Sequence, residues 1–172
     1  MKKCLTRYVV CALAVVLMAP LTEAQATGVQ AAWAKDAGTL SAKFTGLARV
    51  MAGKYEWKPG QGVRSVSDVF NLIIEENGIL AGVLSGKPAP DAEPAPITDP
   101  GKMQDALKAS YASLQKAITG LSGNDLAIHV KLFGEDMTKQ DAVMLILEDQ
   151  HEHLGQSIAY ARANGVIPPW SK

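Results

Sequence analysis

The chain has 172 residues, 48% of them apolar, and its 17 basic side chains balance 17 acidic ones. That length suffices for one domain with one sizeable core. The even balance, with no Lys/Arg cluster after residue 7, argues against a nucleic-acid binder, which carries a basic excess or stripe.

The first 26 residues read as a signal peptide rather than as part of the fold. Lys2, Lys3 and Arg7 make a positive start, Tyr8 to Ala19 is an almost unbroken apolar run of 12 residues, and Ala24-Gln25-Ala26 supplies the small-x-small cleavage pattern. The run is short for a bilayer span and no second one of about 20 residues follows, so no stable transmembrane anchor is expected. The expectation is an exported protein, periplasmic or secreted, whose domain is residues 27–172. Cleavage leaves 146 residues with 14 basic against 16 acidic groups. Cys4 and Cys11 leave with the leader, so the mature domain has no disulfide and must be held by its core.

A first helix is predicted from about Gln30 to Ala52, with Trp33, Ala37, Leu40, Phe44, Leu47 and Met51 on one face. Ser65, with Asp68 three residues on, caps a second helix over Val66 to Leu84. Its inward face is Val66, Val69, Phe70, Ile73, Asn77, Leu80 and Leu84. Prolines at 88, 90, 94 and 96 mark a semi-extended surface connection. Asp99-Pro100 starts a third helix in the favoured order, and Met103, Leu107, Tyr111, Leu114, Ile118 and Leu121 face inward. The long connection Asn124 to Met137 carries little periodicity beyond a candidate short extended piece through Leu126, Ile128, Val130, Leu132 and Phe133.

The last helix, Thr138 to Asn164, is the stretch on which the chemistry concentrates. Thr138 with Asp141 resembles a capping box, while Gly165 and Pro168-Pro169 stop the helix. Val143, Ile146, Leu147, Leu154, Ile158 and Ala161 form the apolar face. At 100° per residue, Asp149, His153 and Tyr160 lie within about 40° of one another, whereas His151 and His153 stand about 160° apart and do not chelate one ion easily. Asn77, an amide on an apolar face, must find partners; with Asp149, His153 and Tyr160 it is a candidate to line a small polar pocket between the second and fourth helices. The bland reading of His153 is a half-buried imidazole whose ring N–H is held by Asp149 or a backbone carbonyl. Gln156 and Arg162 read as neighbouring-chain or dimer contacts. His151-Glu152-His153 lacks the spacing of a zinc-protease HExxH.

Trp57-Lys58-Pro59, Gly62-Val63-Arg64-Ser65-Val66, His153-Leu154-Gly155-Gln156, Tyr160-Ala161-Arg162 and Asn164-Gly165-Val166-Ile167-Pro168-Pro169 together resemble the DinB family, in order and spacing over nearly the whole mature chain. The resemblance implies an all-α four-helix bundle, DinB-like, with a long connection between helices three and four, and a homodimer as a partner state. It also implies a nickel or zinc site of three histidines, one from the second helix and two from the last. Carried over, those positions fall on Leu72, Asp149 and His153, so only the last imidazole is present. Glu76, one turn beyond Leu72, can supply a third donor. No tightly held cofactor is therefore expected; a weakly bound divalent ion, zinc or nickel, on Glu76, Asp149 and His153 is the alternative.

Two functions follow. The leading one is a non-catalytic binding or scaffold protein of the cell envelope with a small-molecule pocket. The other is a divalent-metal-dependent transferase or hydrolase-like enzyme acting on a small substrate.

Overall fold

Four stripes of helical period dictate four helices, each long enough to bury one side only against the other three. The computed structural model describes residues 28–87 and 95–171; the expected signal peptide and residues 88–94 of the proline-rich connection lie outside the described residues. In chain order the elements are α1 (Val29–Val50), α2 (Val66–Leu84), α3 (Pro100–Thr119), the strands β1 (His129–Leu132) and β2 (Glu135–Thr138), and α4 (Lys139–Ala163). Helix α3 packs against both α1 and α2, and α4 closes the ring from the other side, so α3 and α4 face each other diagonally across the core. Consecutive helices on a diagonal cannot be joined by a tight turn, which is why the connection between them is long.

The caps explain the boundaries. Ser65 and Asp68 form a reciprocal capping box at α2: the Asp68 amide donates to Ser65 Oγ at 3.2 Å, and the Ser65 amide to Asp68 Oδ2 at 2.9 Å. At α3, Asp99 Oδ1 accepts from the Lys102 amide at 2.8 Å ahead of Pro100. At the end of α4, Gly165 takes φ 70° while the Val166 amide reaches back to the Ala161 carbonyl at 2.9 Å. Helix α1 ends two residues earlier than its periodicity suggests, passing into a 3-10 turn at Ala52–Lys54.

The inward faces meet as predicted for Ala37, Leu40, Phe44 and Leu47 of α1 and for Met51 just past its end, all buried, while Trp33 is half-buried. Phe44 is central, edge-on to Phe70 at 6.3 Å and stacked on Tyr111 at 6.3 Å. The connection from α1 to α2 is pinned to both helices. Tyr55 donates its hydroxyl to the Ala48 carbonyl at 3.0 Å, and its own carbonyl accepts from Ser67 Oγ at 3.1 Å. The Val66 amide donates to the Trp57 carbonyl at 3.0 Å. That pinning fixes where Arg64 stands beside α4.

The unreadable stretch becomes an antiparallel hairpin, His129 opposite Thr138 through Leu132 opposite Glu135, after a short 3-10 turn at Asn124–Ala127. Leu132 alone of the hairpin is fully buried, and it joins the bundle core.

Candidate metal centre

The centre is built where α2 and α4 lie side by side. Glu76 projects from α2, and Asp149 and His153, one turn apart, project from α4. One ligand atom from each lies within 4.8 Å of the other two. Glu76 is 7% exposed. The side chains of His153 and Asp149 are 15% and 39% exposed, so the cluster is closed on the α2 side and open to solvent at Asp149.

A carboxylate buried beside another carboxylate resists ionising. Burial, then the charge and hydrogen-bonding of Asp149, push the Glu76 carboxyl up to about 8, with Arg64 pulling weakly the other way. Glu76 Oε2 and Asp149 Oδ2 are buried and no backbone or amide donor reaches them, so the proton that Glu76 retains is what the two carboxyls share. No lysine or arginine among the described residues makes an ion pair with either; Asp149 Oδ2 has only His153 Nε2, at 3.4 Å. Buried oxygens with unspent lone pairs are acceptors awaiting a cation or a proton.

His153 is held from its other side. Its Nδ1 lies 2.8 Å from Gln156 Oε1, and Gln156 Nε2 donates to the Tyr160 hydroxyl at 2.8 Å. That hydroxyl donates to the Arg64 carbonyl at 3.2 Å, and the Trp57 ring stands edge-on to Tyr160 at 5.2 Å. Gln156 thus stands at Nδ1, a partner the sequence did not name, while Asp149, which it did name, stands at Nε2. The signal for it was the spacing: residues three and four apart on a helix are neighbours, which puts Gln156 in reach of both His153 and Tyr160.

Asn77 has partners of its own. Its Oδ1 accepts from Gln150 Nε2 at 2.8 Å and its Nδ2 donates to Ser110 Oγ at 3.0 Å. Tyr111 donates to Gln150 Oε1 at 2.9 Å, so a buried polar chain joins α2, α3 and α4 just beneath the cluster. His151 is elsewhere, paired with Asp36 of α1 at 2.9 Å, and His129 pairs with Asp136 across the hairpin at 2.9 Å; both are exposed. Leu72 is half-buried one turn before Glu76 and offers no lone pair.

No family model matches the chain, and no curated protein matches it. Solved structures do. A DinB-like protein from Bacillus cereus superposes with a TM-score of 0.68 at 15% identity, covering 81% of this chain and 95% of that one. A DinB-like protein from Bacillus subtilis gives a TM-score of 0.62 at 17% identity, over 78% of this chain and 92% of that one. The fold is thus an all-α four-helix arrangement like that of DinB-like proteins, with a strand-bearing connection between α3 and α4.

Proposed function

We propose that the protein is a divalent-metal-dependent enzyme of DinB-like fold, with Glu76, Asp149 and His153 as its metal ligands and a small substrate reaching the centre from the Asp149 side. The observation that carries this reading is the pair of buried carboxylates, without a lysine or arginine partner among the described residues, gathered with His153 so that one ligand atom from each lies within 4.8 Å of the others. Packing two carboxylates together without a lysine or arginine is costly, and a cation offsets that cost directly. The donor set fits: one imidazole and two carboxylates suit zinc or another borderline divalent ion, and three protein donors is the number that catalytic zinc sites use.

A bound divalent cation supplies Lewis acidity at this point. The chain's own contribution is to hold two carboxylates side by side on rigid helices, with Glu76 giving up its proton as the ion binds, to present the histidine lone pair, and to shield the α2 side from water. Transfer to or hydrolysis of a small electrophile is the chemistry such a centre supports. The scaffold reading has no comparable feature in its favour.

Isothermal titration of chelator-treated protein with zinc tests this. One ion per chain, bound below micromolar in wild type and lost in His153→Ala and Glu76→Ala, is the expected result. Absence of saturable binding in wild type rejects the metal reading. Export belongs to the same proposal and rests on the pattern of residues 1–26. N-terminal sequencing of protein recovered outside the cytoplasm should begin at or near Thr27; Met1 on a cytoplasmic product refutes it.

A further inference from the structure

We infer that Gln156 and Tyr160 are positioning residues that fix the tautomer of His153, so that its Nε2 lone pair faces the two carboxylates; this deepens the metal reading and rests on it. The inference begins at a group whose role is unambiguous. The Arg64 carbonyl only accepts, so the Tyr160 hydroxyl 3.2 Å away spends its single proton there. That hydroxyl must then accept from its other neighbour, which turns the Gln156 NH₂ toward Tyr160 at 2.8 Å. The Gln156 oxygen is left facing His153 Nδ1 at 2.8 Å, where only an N–H satisfies it. In the neutral ring the proton therefore sits on Nδ1 and Nε2 is bare.

Bare Nε2 is the ring atom on the carboxylate side, 3.4 Å from Asp149 Oδ2. The opposite tautomer puts an acceptor against an acceptor at Gln156, 2.8 Å away, a closer conflict than the bare Nε2 meets at Asp149 Oδ2, 3.4 Å away. The relay thus prepares a ligand atom beside the two buried carboxyls, and it does so before any ion arrives. Its far end is the connection between α1 and α2, pinned by Tyr55 and Trp57, so the backbone there sets the ligand's orientation through two side chains. A partner on the remote ring nitrogen is what metal-binding histidines commonly require, and its loss typically weakens binding about 10–100-fold.

Two measurements test this. Long-range proton–nitrogen correlation spectra of metal-free protein at pH 7.5 should show His153 protonated at Nδ1 in wild type. A mixed population should appear in Tyr160→Phe, which removes only the hydroxyl. Zinc titration should show Gln156→Leu weakened about 10–100-fold, Tyr160→Phe weakened less, and Gln156→Glu near wild type because a carboxylate still accepts from Nδ1. An Nε2-protonated ring in wild type, or unchanged zinc affinity in Gln156→Leu, overturns the inference. If Gln156→Leu does not fold, Tyr160→Phe decides. If wild type binds no zinc, the metal reading falls, and the spectrum alone decides the relay.

Discussion

At the scale of single residues, Glu76 holds the most informative charge. Its ordinary carboxyl value is 4.5, and burial beside Asp149 raises it to about 8. The folded protein therefore keeps a proton that the unfolded chain gives up, so stability is full below about 4.5, falls as pH rises, and stops falling near 8. Metal-free Glu76→Gln should gain thermal stability over wild type at pH 8, with the gain vanishing toward pH 4; melting curves in chelator across that range check it. Zinc must displace the same proton. Its affinity should climb with pH by about tenfold per unit below 8, with a proton released that titration in buffers of different ionisation enthalpy detects. Neither effect was legible in the sequence. Spacing could place Glu76 one turn from Leu72, but only packing against α4 shows that its carboxyl is buried against another.

At the scale of elements, the last three helices were readable because cap signals joined the apolar period, whereas α1 had period alone and its end was misplaced by two residues. Ser65 with Asp68, Asp99 with Pro100, and Thr138 with Gly165 mark boundaries that the structure reproduces to within a residue. The hairpin was legible only as one short extended piece, for a physical reason. Its turn places Phe133 at φ 52° and Gly134 at φ 88°, whereas the usual sequence for such a turn begins with Asn or Asp. Phe133 is also 59% exposed, so the chain shows an apolar residue where the structure buries nothing. Phe133→Asn should relieve the left-handed strain and stabilise the protein by about 1 kcal/mol in denaturant titration. At α2, which carries Glu76, Asp68→Ala should cost about 1 kcal/mol by opening the capping box. Ser65 holds the Asp68 carboxyl below its usual range, so wild type loses that contribution as pH falls through the lowered value, and the two curves should converge in acid.

Across the whole molecule, the polar chain of Tyr111, Gln150, Asn77 and Ser110 sets the register among α2, α3 and α4. The sequence exposed one link, Asn77, because an amide interrupts an apolar face there. Gln150 escaped notice because a glutamine between Asp149 and His151 reads as solvated, although it is wholly buried between the turns of Leu147 and Leu154. Such a network is sensitive to partial loss: each buried group left unpaired costs about 1–3 kcal/mol, while replacing both partners by apolar groups costs far less. Gln150→Leu strands both the Tyr111 hydroxyl and Asn77 Oδ1, so it should destabilise by about 2 kcal/mol or more. Adding Asn77→Leu should cost less than the sum of the two single changes. Glu76 precedes Asn77 and Asp149 precedes Gln150 in the chain, so the network holds the backbone beneath both carboxylates. Gln150→Leu should therefore also weaken zinc binding without touching a ligand. Urea denaturation of the singles and the double, with zinc titration of each folded variant, measures both effects. Strict additivity would show that Asn77 and Gln150 are not coupled, and unchanged zinc affinity in Gln150→Leu would separate the interior chain from the metal centre above it.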